Sequence, residues 1–203
     1  MGSSNESVAS LNALAQAHRI STSGEPTGEG VLLRPGSAPG AGQATAFVGD
    51  TIVTRRNDRR LSVFAGHDFV KNGDRWNVEG INGDGSLQVR HVEHGGTVTL
   101  PAEYVRENVE LGYALTVHRA QGATVDTSHA LIDSRADRAA AYVGLSRGRE
   151  QNNLYVNLRD GEKLDEVLET VAARHDGEAQ FSVHESVDAI RAQQMDTAAA
   201  VLE

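Results

Sequence analysis

The sequence contains no cysteine and only two lysines, Lys71 and Lys163. The first absence removes disulfides, thiolate metal sites and cysteine nucleophiles. The second removes a common phosphate-binding device. A loop of the form G-x-x-x-x-G-K-[ST] needs a glycine–lysine pair, but Val70 precedes Lys71 and Glu162 precedes Lys163. Aromatic residues are scarce, at 4%. No apolar run approaches the roughly 20 residues that cross a bilayer, so no membrane partner is expected. The opening Met1-Gly2-Ser3-Ser4 is small and polar and does not read as a secretory signal. Like the closing Leu202-Glu203, it reads partly as a cloning remnant. A cytoplasmic location is expected. The eight histidines are scattered, and His91 with His94 does not make a ligand set, so no metal site is expected.

What is present suits a water-exposed globular chain. The 203 residues are 39% hydrophobic and 23% charged, enough for one core with a small inserted module. A net charge of −9 argues against nucleic-acid binding through the overall field, so local clusters carry more weight. Arginines gather at Arg55, Arg56, Arg59 and Arg60, and again at Arg147 and Arg149. The chain has 17 arginines to its two lysines. That bias favours planar, bidentate contact with phosphates or carboxylates. A GC-rich coding sequence would give the same bias without functional meaning.

Patterning sets the expected architecture. Val8, Leu11, Leu14 and Ala15 recur at helical spacing and predict an amphipathic helix over residues 5–20. Residues 21–49 are rich in Gly, Pro, Ser and Thr, with one apolar run at Val31-Leu32-Leu33, and read as a long, partly ordered connection. Residues 50–56 alternate like a strand. Over residues 64–105, the short runs RWNVEGI, SLQVRHV and TVTLP lie between turn signals at Asn72-Gly73, Asn82-Gly83, Asp84-Gly85 and Gly95-Gly96. They predict a small meander or SH3-like barrel.

Beyond the barrel, strands are predicted at 111–117, 130–133 and 153–158, with a helix at 136–148. A second helix, carried by Leu164, Val167, Leu168 and Val171, would be capped by Asp160. Such alternation means a parallel sheet with crossover helices. The chain is thus expected to divide into a first α/β part (1–65), a β insertion (66–105), a second α/β part (106–176) and a polar tail (177–203) with a last helix at 184–195.

Two strings carry chemistry. In GYALTVHRAQGAT, residues 112–124, an apolar strand runs into a polar, glycine-bearing turn. Ligands of open α/β sheets bind beyond the carboxyl ends of the strands, which is where Thr116, His118, Gln121 and Gly122 are expected. Backbone N–H groups there can meet phosphate oxygens. In AYVGLSRGRE, residues 141–150, Tyr142 and Leu145 are expected to be buried on one helical face, with Arg147 and Arg149 at the helix end. By themselves these arginines are favourable cations at a helix C-terminus, worth a few tenths of a kcal/mol each, roughly.

Together the strings resemble motifs V and VI of superfamily 1 helicases of the RecD-like branch. TVHRAQGATVD is similar to the form T-x-H-[KR]-[AS]-Q-G, and YVGLSRGRE to Y-V-A-[LM]-[ST]-R. Asn5-Glu6 with Leu11-Asn12, residues 49–53 with Arg55-Arg56-Asn57, and Lys71-Asn72-Gly73-Asp74 extend the resemblance to the helicase part of MobF-class conjugative relaxases, the TraA/TraI/TrwC type. It spans roughly residues 5–160, and His184-Glu185 continues it weakly.

The resemblance implies a C-terminal RecA-like motor domain, a parallel sheet with crossover helices interrupted by an SH3-like barrel insertion. It implies that Arg147 is an arginine finger to ATP bound between two RecA-like domains. Gln121, Gly122 and Arg149 would join Arg147 at the nucleotide, and Thr116, His118, Arg55, Arg56 and Asn57 would contact single-stranded DNA. The partners implied are that strand and the N-terminal RecA-like domain of the same parent. ATP and Mg²⁺ would serve the parent, with none bound by this chain alone. Thr124 stands where the broader superfamily often has a ribose-contacting glutamate. Asp165-Glu166 falls on a helix and makes a poor Mg²⁺ motif. Two other readings stay open: a non-catalytic DNA- or protein-binding module, and a degenerate remnant with a structural role.

Overall fold

A computed structural model of the chain describes residues 1–24, 28–36 and 42–174. The expected polar tail, its helix at 184–195 and His184-Glu185 lie outside the described residues. The first helix, α1 (Asn5–Ser23), starts at Ser4, whose side chain accepts the Ser7 N–H, and ends at Gly24 with φ +88°. Glu6 in the first turn suits the helix dipole.

The apolar stripe predicted for α1 is not what anchors it. Leu14 is 68% exposed, and Val8 is the one buried apolar residue of the helix. Instead Asn12, Gln16 and Arg19, at i, i+4 and i+7, form a polar stripe facing the β structure. Asn12 accepts the Ala114 N–H at 2.8 Å and donates to its carbonyl at 3.3 Å, as a neighbouring strand would. Gln16 and Arg19 both reach Asp50, at 2.5 and 2.8 Å.

The connection read over 21–49 contains more order than its composition suggests. Strands β1 (Val31–Pro35) and β2 (Gln43–Ala46) pair antiparallel. Then come β3 (Thr51–Thr54), β4 (Asp58–Val63), β5 (Asp68–Val70), β6 (Arg75–Ile81), β7 (Leu87–His91), β8 (Thr97–Leu100), α2 (Ala102–Asn108) and β9 (Val109–Leu111). One antiparallel sheet has the order β8-β7-β6-β3-β9, and β4 pairs with β5. The sheet therefore reaches outside 66–105 on both sides. The predicted strand at 111–117 is corrected: residues 109–111 pair with β3, and only Thr116 has a further bridge, to Gly2.

Along β7, Leu87, Val89 and His91 are buried while Gln88 and Arg90 are exposed, the half-buried alternation the sequence showed. The core of this unit holds Trp76, Leu33, Ile52, Leu87, Leu100 and Val105, all fully buried. Trp76 satisfies its ring N–H on Thr54 Oγ1 at 3.3 Å.

The second unit is smaller. Strands β10 (Val125–Ile132) and β11 (Gly148–Val156) run parallel, joined through α3 (Arg138–Leu145), and α4 (Leu164–Ala173) packs against α3. Asp137 caps α3 through the Ala140 N–H. Lys163, not Asp160, precedes α4, and it supplies no side-chain cap. Val167 and Val171 close over Ile132 and Ala136.

Met1-Gly2-Ser3-Ser4 is integral to this unit. Gly2 bridges Thr116 on one side and Leu131 on the other, both parallel, and its N–H donates to the Leu115 carbonyl at 2.9 Å. Among the described residues the parallel sheet is thus one two-stranded ladder extended by single bridges, within a mixed α/β fold. No described helix is long and apolar enough to cross a membrane.

Two outcomes follow for stability. Asp50 is fully buried and receives Arg19, Gln16, the Phe47 N–H and the Tyr113 hydroxyl. Removing one partner of a buried pair costs about 3–5 kcal/mol, so Asp50→Ala should lower unfolding free energy by that order in urea titration. A loss below about 1 kcal/mol would show the network to be dispensable.

His91 and His94 stack at 3.6 Å, and His91 Nδ1 accepts the N–H groups of Glu93 and His94. Burial, then the neighbouring His94, lowers the His91 pKa from 6.5, against the raising pull of Asp74 and Glu93. The unfolded chain therefore binds the proton more readily. Stability should be full above about pH 6.5 and fall as the pH drops below that value. Thermal melts from pH 7.5 to 5 should show the decline, and it should be shallower in His94→Asn. Equal slopes in both proteins would exclude the histidine pair as its source.

Candidate functional site

Parallel segments of one sheet oblige the chain to travel the height of the sheet between them. Residues 117–124 make that journey, and this separates the residues that sequence spacing grouped together. Thr116 lies level with Gly2 and Leu131, near the carboxyl end of β10. It precedes a 3₁₀ turn, Val117–Ala120, and its carbonyl accepts the Arg119 and Ala120 N–H groups. Gln121 and Gly122 follow the turn and lead into Val125, the amino end of β10. The expectation that Thr116, His118, Gln121 and Gly122 share the carboxyl ends is therefore corrected. Thr116 is buried at 8% exposure, whereas His118, Gln121 and Gly122 are exposed. Gly122 has φ +90°, a conformation that disfavours any side chain there.

Arg147 occupies the same end as Gln121 and Gly122. The Val125 N–H donates to the Arg147 carbonyl at 3.0 Å, and Val125 is in register with Gly148. The arginine folds back on its own helix: Nε donates to the Val143 carbonyl at 3.2 Å and Nη2 to Ser146 Oγ at 2.8 Å. These are the contacts of a C-terminal helix cation. Among the described residues no carboxylate pairs with Arg147. Arg149 differs, lying 3.0 Å from Asp126, with both side chains more than 60% exposed. Such exposed pairs contribute little. Tyr142, expected to be buried, is 64% exposed, while Leu145 is partly buried.

Three residues that sequence reasoning passed over set this geometry. A Cβ at Gly148 would meet the Gln151 carbonyl oxygen at 2.1 Å, and Asn152 clamps Gly148 by accepting its N–H and donating to its carbonyl. Gly144 lies so close to β10 that a Cβ would stand 2.6 Å from that of Ala130. The signal for Gly144 was present, since the helicase form of this string has alanine there.

The basic group at 55–60 does not present one face. Arg55 is 6% exposed and donates to Glu110 at 2.6 Å, and burial lowers its pKa. Arg56 is exposed and lies 5.9 Å from the Tyr104 ring centre. Asn57 Oδ1 accepts the Asn72 N–H at 2.7 Å and so holds the turn before β6. Arg60 binds Asp58 through two contacts of 3.1 and 2.9 Å, holding that carboxyl down to about 2. Sequence reasoning gave no role to Arg34, Glu110 or Arg119, which meet at Arg55: Glu110 lies 3.1 Å from Arg34 and 3.5 Å from Arg119.

A guanidinium without a carboxylate partner, carried at the same end of the strands as an exposed glycine turn, suits a terminal phosphate. The rest of a nucleotide site has no such fit. There is no lysine loop, and no group of three or more His, Asp or Glu among the described residues could hold a metal ion. The tightness at Gly144 gives a direct test. Gly144→Ala should destabilise the protein by about 1–3 kcal/mol through overpacking, and Ala130→Gly should restore it. Unchanged urea midpoints for the single variant would mean that α3 does not sit so close.

Residues 39–110 match the family model of the Rv2311 SH3-like barrel domain. The uncharacterized protein Rv2311 of Mycobacterium tuberculosis is 32% identical over 102 residues, which cover 48% of this chain and 59% of that protein. The probable conjugal transfer protein TraA of Sinorhizobium fredii is 31% identical over 131 residues, 64% of this chain. The multifunctional conjugation protein TraI of Escherichia coli is 28% identical over 138 residues. The matched segment spans only 11% of that TraA and 8% of that TraI. Among solved structures, Bacteroides Pif1 bound to ssDNA is similar over 92% of this chain and 44% of that one, at TM-score 0.47 and 18% identity. Residues 39–110 thus match an SH3-like barrel domain of the Rv2311 kind, in a chain homologous to a segment of the conjugative relaxases TraA and TraI.

Proposed function

We propose that this chain is part of the C-terminal, RecA-like motor domain of an ATP-dependent DNA helicase of the conjugative relaxase type, acting in the cytoplasm. The observation that carries this reading is the link between the two strings. The Val125–Arg147 backbone bond brings the Gln121–Gly122 turn and an arginine without a carboxylate partner to one end of the β10–β11 pair. Homology to segments of TraA and TraI supports it.

In this reading Arg147 would stabilise charge on a transferring phosphoryl group held by a second RecA-like domain. Gln121 and the Gly122 N–H would meet the terminal phosphate beside it, with Arg149 at the rim. Thr116 and His118, toward the other end of β10, would touch single-stranded DNA, with Arg56 and Asn57 on the barrel side and Arg55 acting from behind them through Glu110. ATP with Mg²⁺ would supply the bond that is cleaved. The residues of this chain would contribute the guanidinium and the strand contacts, and this chain alone would turn over no ATP.

A second reading, a non-catalytic DNA- or protein-binding module, draws on the barrel, which holds the larger core and a basic cleft. Steady-state ATPase assays separate the two. The 203-residue chain should show no turnover. In a parent that includes the second motor domain, Arg147→Ala should cut DNA-stimulated turnover by about 10³-fold or more, with DNA affinity nearly unchanged. Retained turnover in that variant would remove the arginine-finger assignment.

A further inference from the structure

Where the barrel meets the 115–120 segment there is a cleft of about 320 Å³, lined by Arg34, Arg55, Asn72, Gly73, Leu115 and Arg119. Small-molecule pockets run from roughly 300 to 1,000 Å³, so the space is sufficient for a phosphodiester and part of its sugar. Its charge is unbalanced. Three guanidinium groups approach a single carboxylate, Glu110: Arg55 Nε at 2.6 Å, Arg34 Nη1 at 3.1 Å and Arg119 Nη1 at 3.5 Å. Two positive charges are left uncompensated in a chain whose net charge is −9. Arg55 is buried at the base, while Arg34 and Arg119 are 36% and 40% exposed and so can turn outward. The cleft wall continues directly through Leu115 into Thr116.

We infer that this cleft binds a backbone phosphate of single-stranded nucleic acid through Arg34 and Arg119, with Glu110 as the internal counter-ion that the phosphate displaces. The planar guanidinium fork suits a phosphate as well as it suits a carboxylate. Arg55 stays on Glu110 and keeps the carboxylate neutralised while the outer pair turns to the strand. Glu110 thereby holds both outer arginines in position in the absence of DNA and competes with every phosphate that enters. This rests on the reading that the chain works on single-stranded DNA, and it adds Arg34, Arg119 and Glu110 to the residues that do so.

The sign of one substitution distinguishes this from a structural role. Glu110→Gln removes the competing charge and keeps the shape. Binding of a fluorescent oligo-dT to the full 203-residue chain, followed by anisotropy at 50 to 200 mM salt, should tighten several-fold in Glu110→Gln. It should weaken in Arg34→Ala and Arg119→Ala, and each should flatten the log–log salt slope by about 0.7, as expected when one phosphate is no longer neutralised. Arg34→Lys should recover part of the affinity. Thermal melts of each variant identify any that fails to fold, and Glu110→Gln with Arg34→Lys then carries the test.

Weaker binding by a folded Glu110→Gln would overturn the inference. So would unchanged binding in all the variants, and in that case the DNA reading would stand without this cleft. Absence of oligo-dT binding together with an Arg34-dependent rise in melting temperature on adding pyrophosphate would keep the anion site and overturn the nucleic-acid occupant.

Discussion

The carboxylate of Asp50 ties together parts of the chain that share little apolar contact. It lies immediately before β3, is fully buried, and receives Gln16 and Arg19 from α1 as well as the hydroxyl of Tyr113. Burial and the facing Asp50 push the Tyr113 hydroxyl up to about 12, so it remains a donor at any physiological pH. Because a buried charge is tolerable only when its hydrogen bonds are made, this network fixes α1 on the barrel in one orientation. Asn12 then extends the attachment to Ala114, two residues before Thr116. The placement of the polar turn that follows depends on a helix held by side-chain polar groups.

The cost of such an anchor is specificity of sequence; its return is geometry. An apolar stripe can slide along its partner by small steps, because the hydrophobic effect has no direction. A carboxylate with four donors cannot. The barrel and the β10–β11 unit have separate cores, and α1 makes polar ties beyond the barrel: Asn12 to Ala114, and Glu6 to Arg135, which Asp133 holds in place.

Much of this architecture was legible in the sequence, for physical reasons that differ by region. The barrel strands β6, β7 and β8 announced themselves through period-two alternation and glycine turns, because one face of each is wet. The helices α3 and α4 showed helical spacing. The β1–β2 pair was hidden, since strands of five and four residues amid Gly, Pro and Ser carry too few residues to show a period. The anchoring face of α1 was misread because Asn12, Gln16 and Arg19 look like a solvated face until their acceptors are known. Proximity in sequence was also misleading for Thr116 and Gln121, which are five positions apart and lie toward opposite ends of β10. The cleft arginines escaped notice because Arg34, Glu110 and Arg119 stand far apart in sequence or on different elements and are brought together only by the fold.

The backbone bond from Val125 to the Arg147 carbonyl has a mechanical consequence. With its own carbonyl engaged by β10 and the next residue clamped by Asn152, Arg147 is attached to a fixed point at the base of two strands. Its guanidinium can leave the Val143 carbonyl only by rotating side-chain torsions, since the loop that carries it has no slack. Whatever anion it serves must be delivered to within one arginine's length of that point. In the proposed motor, the distance covered in closing would then fall to the second RecA-like domain, with this chain as the anvil.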